Sequence, residues 1–174
     1  MLQPVKYHQT SRETIMQRRL ILKTIASLTA AVAAPWLMAQ TRPQIEVWKD
    51  PNCGCCKDWV AHLQMNGFDV KVNDSGNAAA RTRLRIPEKV GSCHTAKVGN
   101  YALEGHVPAR EIQRLLKEKP KAIGLAVPGM PVGSPGMDTA LYGGRVDAYH
   151  VLLVLENGDT RVYKSYPSNP SVKS

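Results

Sequence analysis

The chain has 174 residues, a formal net charge of +9 and four cysteines. Without a predicted leader over residues 1–39, 174 − 39 = 135 residues remain, with 18 basic and 13 acidic side chains, which suits one domain with a single core. Arg81, Arg83 and Arg85 lack interleaved aromatic residues, which argues against a nucleic-acid track and predicts a solvated helix face.

Residues 1–39 are predicted to be an export signal peptide. A basic stretch with Arg18, Arg19 and Lys23 precedes an apolar, alanine-rich run over residues 25–37. The arginine pair and the following residues resemble a twin-arginine signal, and an ordinary secretory leader fits as well. Since a membrane span needs about 20 apolar residues, this shorter run, broken by Pro35, predicts no stable anchor. We expect residues 40–174 to be a single periplasmic domain.

The mature region alternates between strand and helix patterns. The periodicity predicts a βαβ unit, with a strand over residues 45–49, a helix over 55–65 and a strand over 68–72. It then predicts a helix through residue 84, strands over 95–98 and 101–103, a helix over 109–119, and a hairpin of strands 148–155 and 160–163. This order indicates an α/β fold, a thioredoxin-like sandwich with a mixed β-sheet flanked by helices.

Residues 124–138 form a proline-, glycine- and methionine-rich C-terminal extension. So many glycines and prolines predict neither a helix nor a central strand. The segment carries Met130 and Met137, and a thioether sulfur prefers Cu(I) to Zn(II). The alternative is that both methionines simply cover apolar surface.

Three cysteines, Cys53, Cys55 and Cys56, lie within four residues at a strand-to-helix junction. A helix that starts near Cys53 places that thiol at the positive end of the helix dipole, with Cys56 one turn further on the buried stripe. Cys53 and Cys56 are therefore the candidate catalytic pair of a thioredoxin-type redox site. Cys55 is turned away by about 100° and adds a sulfur that suggests a metal. His62 is interpreted as a surface residue.

The fourth cysteine lies in the segment Ser92-Cys93-His94-Thr95, which runs into a strand. Thioredoxin-like proteins carry a cis-proline followed by threonine at this point, so Cys93 and His94 are expected to lie beside the cysteine triplet. Loss of the proline argues against ordinary disulfide exchange and supplies possible ligands. Alternatively, Cys93 is a packing thiol and His94 only a hydrogen-bond donor to a ligand. His106 is either a ligand or a helix-start residue, and His150 a core or edge residue.

Four motifs together resemble the CopG family: Cys53-Gly54-Cys55-Cys56, Ser92-Cys93-His94-Thr95, Glu104-Gly105-His106-Val107-Pro108 and the segment from Gly129 to Met137. The resemblance covers residues 45–163. It implies a periplasmic, thioredoxin-like copper protein associated with copper resistance, whose C-terminal extension helps to bind metal. The ligands it implies are Cys53, Cys55, Cys56 and Cys93, with His94, His106, Met130 and Met137 as candidates.

Four clustered thiolates favour several bridged Cu(I) ions over one Zn(II) ion, so a multinuclear copper cluster is expected. The hypothesis is a monomeric copper oxidoreductase that interconverts Cu(I) and Cu(II), served by an efflux system or a periplasmic electron donor. The rivals are a metal-free thiol–disulfide oxidoreductase and a copper chaperone or store without turnover. The cysteine spacing does not suit an iron–sulfur cluster. The sequence carries no Gly-x-Ser-x-Gly elbow or phosphate-binding glycine loop that would support a hydrolase or a nucleotide-dependent enzyme.

Overall fold

The computed structural model describes residues 41–169, and the predicted signal peptide lies outside them. The helices in chain order are α1 (Gly54–Met65), α2 (Ala78–Arg83) and α3 (Ala109–Glu118). The strands are β1 (Gln44–Lys49), β2 (Asp69–Asn73), β3 (His94–Val98), β4 (Tyr101–Glu104), β5 (Gly124–Ala126), β6 (Tyr149–Val154) and β7 (Thr160–Tyr166). None of the helices in residues 41–169 has the length and apolar character needed to span a bilayer.

The seven strands of the described region form one mixed sheet in the order β2-β1-β3-β4-β5-β6-β7. β1 pairs in parallel with β2, and β4 in parallel with β5. The other neighbouring strands are antiparallel. The predicted α/β architecture with a mixed sheet is confirmed, and its thioredoxin-like character stays a prediction.

The expectation that residues 124–138 contain no central strand was wrong for their first three residues. Gly124–Ala126 forms β5, which lies between β4 and β6. A Cβ atom at position 124 would overlap the backbone of Ala102, so glycine is what allows the two strands to pair closely here. Beyond Val127 the extension is irregular up to a short 3₁₀ turn at Ala140–Tyr142.

The sheet is covered on both faces, because alternate residues of its central strands enter two different apolar clusters. The larger cluster includes residues of α1 and α3, among them Trp59, Leu63 and Ile112, together with Leu103 of β4. The smaller cluster contains Ala102, the neighbour of Leu103. Its other members are Ile86, Val90, Ile123, Ala126 and Val154. The segments that follow β1 and β4 and precede β3 are therefore anchored to a sheet that is packed on both faces.

Candidate metal centre

The cysteine triplet and Cys93 meet at one end of the sheet because β1 and β3 are antiparallel neighbours. The register pairs Lys49, the last residue of β1, with His94, the first residue of β3. The chain that leaves β1 therefore enters α1 beside the loop that delivers Cys93. Cys55 and Cys93 are 38 residues apart in sequence, yet their Sγ atoms lie 3.9 Å apart. The structure thus brings together the two segments expected to meet.

The Sγ atoms of all four cysteines lie within 4.8 Å of one another. Cys53 and Cys56 are joined by a disulfide whose Cα atoms are 5.4 Å apart. Cys55 is a free thiol with its Sγ atom 3.6 Å from that of Cys53. Cys56 is fully buried on the core side of α1, as predicted, whereas the other three cysteines are half-buried. The cluster is therefore partly accessible to solvent through Cys53, Cys55 and Cys93.

Two fully buried imidazoles flank the Cys93 sulfur. His94 Nδ1 lies 3.3 Å from Cys93 Sγ, and its Nε2–H donates to the Gly105 carbonyl at 2.9 Å. His106 Nε2 lies 3.2 Å from the same sulfur, and its Nδ1–H donates to the Pro135 carbonyl at 2.9 Å. We assign these tautomers from the carbonyl acceptors, which require an N–H partner. Each ring therefore directs an unprotonated nitrogen at Cys93.

Burial keeps both imidazoles neutral. It lowers the pKa of His94 to about 3, with a smaller contribution from His106, and it lowers the pKa of His106 as well. A neutral imidazole is the form that binds a metal, and a carbonyl that holds the other ring N–H fixes its orientation. Cys93, His94 and His106 accordingly form a second group that could hold a metal ion, and it shares Cys93 with the cysteine cluster.

Burial also raises the pKa of the Cys93 thiol to about 12, and the neighbouring Cys55 adds to the shift. The thiol is therefore protonated at neutral pH in the metal-free protein. A metal ion that binds here must displace this proton, so metal binding and proton release are coupled.

A buried ion pair supports the loop that carries Cys93. Glu104 is fully buried and accepts hydrogen bonds from the Ser92 backbone N–H at 2.7 Å, the Thr95 hydroxyl at 2.6 Å and Arg81 Nε at 2.9 Å. Arg81 also donates to the Ser92 carbonyl at 2.6 Å, and Asn77 donates to the same oxygen at 3.1 Å. These contacts hold the residues on both sides of Cys93 and His94.

This support was not predicted from the sequence. Arg81 was expected to lie on a solvated face, but its side chain is only 13% exposed and is paired with Glu104. A signal was present, because a carboxylate at a buried position of an apolar strand such as β4 needs a cationic partner.

The C-terminal extension packs against the start of α1. Gly136 has a φ of 86°, and a Cβ atom there would lie 2.5 Å from the Cys55 carbonyl oxygen and 2.8 Å from the Trp59 nitrogen. Glycine is therefore required both by the conformation and by the space. The preceding residue, Pro135, supplies the carbonyl that orients His106. The extension thus forms part of the site.

The two predicted methionine ligands differ in environment. Met137 is 7% exposed, and its sulfur accepts a hydrogen bond from the Tyr142 hydroxyl at 3.6 Å. Met130 is 53% exposed and follows Gly129, whose carbonyl accepts a hydrogen bond from the Ser92 hydroxyl at 2.5 Å. Within residues 41–169, no cysteine thiol donates to either thioether. Their role as ligands stays a prediction.

Two other histidines stand apart from the centre. The interpretation of His62 as a surface residue was wrong, because it is half-buried and its Nε2 accepts the Ala109 backbone N–H at 3.1 Å, which caps the start of α3. The orientation of α1 and α3 against one another makes this contact, which sequence spacing does not reveal. His150 is exposed on β6 and bonds Ser165 across the strand pair at 3.0 Å.

The fold and the site define an α/β protein with a cysteine cluster that could hold metal. A family model described as "Protein of unknown function, DUF411" matches residues 90–137. Two solved structures, named "Copper resistance protein copG- Form 1" and "Form 2", are each 46% identical, with a TM-score of 0.67. They match 72% of this chain and 98% and 99% of their own lengths. No curated protein matches. The chain belongs to the CopG family of copper resistance proteins, which confirms the resemblance.

Proposed function

We propose that this protein is a periplasmic copper resistance protein that binds Cu(I) as a thiolate-bridged cluster and interconverts Cu(I) and Cu(II). The observation that carries the proposal is the meeting of four cysteine sulfurs within 4.8 Å, one of which is shared with His94 and His106. Soft thiolates select Cu(I), and imidazole nitrogens are good ligands for copper in either valence.

The proposed ligands fall into two groups. Cys53, Cys55 and Cys56 supply thiolates from the start of α1, and Cys93 bridges them to the two imidazoles. A single divalent ion would leave part of this donor set unused, whereas several monovalent ions satisfy it by sharing sulfurs. Met130 and Met137 are the remaining candidates, as neutral thioether donors from the extension.

The redox part of the proposal uses the Cys53–Cys56 pair. When this disulfide forms, two thiols release two protons and pass two electrons to two Cu(II) ions, and two sulfurs are lost as strong ligands. When an electron donor reduces the disulfide, the thiolates return and the cluster can refill. Opening and closing this bond therefore links copper valence to copper retention.

The rival without metal, a thiol–disulfide oxidoreductase, is supported by the Cys53–Cys56 disulfide itself. Two features of the described residues favour copper over it. His94 occupies the position at which a thioredoxin-like disulfide enzyme would carry its cis-proline. In addition, two buried imidazole nitrogens lie within 3.3 Å of Cys93 Sγ, which supplies donors suited to copper beside the thiolates.

The test is anaerobic reconstitution of the fully reduced domain with Cu(I), followed by measurement of copper per chain. We expect more than one Cu(I) per chain, retained against a chelator. Cys53→Ser combined with Cys93→Ser should abolish retention, and His150→Asn, a change at an exposed histidine, should leave it intact. Retention of one Zn(II) in preference to copper, or unchanged Cu(I) retention in the double variant, would contradict the proposal.

The turnover part needs a separate measurement, because a chaperone or store would also retain Cu(I). With Cu(II) and a dithiol reductant supplied, the wild type should generate Cu(I) catalytically, and Cys53→Ser with Cys56→Ser should not. A wild-type rate no higher than that of Cu(II) and the dithiol without protein would leave a binding protein without turnover, and an equal rate in the variant would exclude the Cys53–Cys56 pair from turnover. We propose export through residues 1–39, and delivery of the copper to an efflux system.

A further inference from the structure

Cys55 and Cys93 are the cysteines left free by the Cys53–Cys56 disulfide. Their Sγ atoms lie 3.9 Å apart, and both side chains are half-buried. We propose that Cys55 and Cys93 form a second disulfide, so that one chain can deliver four electrons to Cu(II) rather than two. This inference rests on the proposed function, because it takes Cu(II) as the oxidant.

The geometry requires little movement. A disulfide has its sulfurs about 2.0 Å apart, so the two Sγ atoms must approach by roughly 1.9 Å. A change of χ1 rotamer at a cysteine swings its sulfur between staggered positions while the backbone stays in place. Cys55 is close to the start of α1 and Cys93 directly precedes β3, so neither bond-forming residue lies in the middle of a regular element.

The pairing follows by elimination. Four cysteines permit three pairings, and the structure already contains Cys53–Cys56. One alternative joins the adjacent residues Cys55 and Cys56, which strains the backbone between them. The other joins Cys56 to Cys93, but the Cys56 sulfur faces the Cys93 carbonyl oxygen at 3.7 Å. Cys55 and Cys93 are therefore the natural second pair.

The chemistry balances in two equal steps. In each step, two thiols and two Cu(II) ions give one disulfide, two Cu(I) ions and two protons. The first step closes Cys53–Cys56, and the second closes Cys55–Cys93. After the second step no cysteine thiolate remains to hold Cu(I), so reduction of the last two ions coincides with release of the copper. A dithiol reductant restores the four thiols.

The stoichiometry of Cu(II) reduction tests the proposal. Fully reduced, metal-free protein is mixed anaerobically with excess Cu(II) and a Cu(I)-specific chromophoric chelator. We expect about four Cu(I) per wild-type chain and about two for each of the double variants, Cys55→Ser with Cys93→Ser and Cys53→Ser with Cys56→Ser. Two Cu(I) for the wild type, or four for the variant without Cys55 and Cys93, would overturn the inference.

A metal-free oxidation separates this inference from the copper proposal. The reduced protein is oxidised with diamide, alkylated and digested with trypsin, which isolates residues 50–57 and residues 90–97. In the wild type, we expect no alkylated cysteine and a disulfide link between the two peptides. In the variant lacking Cys53 and Cys56, the same two peptides should remain linked through Cys55. If Cys93 remains alkylated, or is linked to a second chain, the inference fails even where Cu(I) binding holds. If Cu(I) binding fails but the link forms, only the copper proposal fails.

Discussion

The two halves of the centre are built differently. The α1 half consists of three neighbouring cysteines, two of which are already joined as a disulfide. The other half consists of Cys93 and its neighbour His94, together with His106 from the segment after β4, and backbone carbonyls set the lone pairs of the two imidazoles. Cys53 and Cys56 of the first half have already formed a disulfide, whereas the imidazoles of the second, the fixed half, are oriented before any metal arrives. The proposed function therefore combines cysteines that can store electrons with imidazoles that are already oriented for a metal.

Removal of Cys93 should have the largest effect, because its sulfur lies within 4.8 Å of the ligand atoms of both halves. Loss of a partner that only supports a ligand reduces metal affinity by roughly 10- to 100-fold, and Cys93→Ser should exceed that range. Competition against a chromophoric Cu(I) chelator under anaerobic conditions measures the affinity. A Cys93→Ser protein with wild-type affinity would show that the two halves do not share a metal.

Acid should destabilise the metal-free, reduced protein through the fixed half. The pKa of folded His94 is about 3, below its ordinary value of 6.5, so the unfolded chain takes up a proton first as the pH falls. This contribution to stability is present above about pH 6.5 and is lost as the pH falls towards 3, amounting to roughly 2–3 kcal/mol by about pH 4.5. Urea unfolding at several pH values measures it.

The matched variants for this pH dependence are His94→Asn and His150→Asn. The first removes the buried imidazole and should flatten the acid dependence of the free energy of unfolding. The second removes an exposed imidazole and should retain the wild-type dependence. If the two variants lose stability equally as the pH falls, burial of His94 is not the cause.

Glu104→Gln should weaken the fixed half without touching a ligand. The neutral side chain keeps its shape but loses the charge that pairs with Arg81, so the loop carrying Cys93 is held less firmly. We expect Cu(I) affinity to decrease by about 10- to 100-fold. Glu88→Gln removes the exposed partner of the same arginine and should change affinity little, since exposed pairs contribute about 0–1 kcal/mol. Equal effects from the two variants would contradict this role.

His62→Ala should affect stability and leave copper alone. It removes the acceptor for the Ala109 backbone N–H at the start of α3, and loss of such a cap costs about 1 kcal/mol. His106→Ala removes a proposed ligand and should lower Cu(I) affinity. Thermal unfolding and chelator competition on both variants distinguish a role in capping α3 from a role in binding copper. Reduced Cu(I) affinity in His62→Ala would show that this residue also supports the metal centre.

The methionines should give the smallest effects, because a thioether is a neutral and weak donor. Met137→Leu is expected to lower Cu(I) affinity by up to about tenfold, or about 1.4 kcal/mol. Met130→Leu should have less effect, since that side chain is half-exposed. Unchanged affinity in both variants would remove the methionines from the ligand set.

Much of this architecture could be predicted from local patterns. The helix stripe that buries Cys56 and the hairpin around Gly158 follow from periodicity and turn residues, whereas the meeting of Cys93 with the cysteine triplet was expected from the thioredoxin-like pattern. β5 was not predicted because glycine is typical of loops. Gly124 is suited to a strand here only because the backbone of β4 approaches it closely. Local patterns carry no information about such approaches.

Several of the residues that lie together at the candidate centre were predicted to do so, and their hydrogen bonds were not. Clustered cysteines and the Cys93-His94 pair are visible in the sequence, so the ligands could be proposed from it. The tautomers of His94 and His106 could not be predicted. Their acceptors are the backbone carbonyls of Gly105 and Pro135, and a backbone carbonyl is present in every residue. The role of Arg81 was not predicted either: Glu104 in β4 signals the need for a cationic partner, but that partner lies 23 residues away and only the fold identifies it.

The most direct test is diffraction from copper-loaded crystals at wavelengths on either side of the copper absorption edge. We predict anomalous density for more than one copper ion within the cage formed by the sulfurs of Cys53, Cys55, Cys56 and Cys93, with at least one ion in contact with His94 or His106. Copper located elsewhere on the chain, or bound to the cysteine triplet with Cys93 uninvolved, would contradict the account.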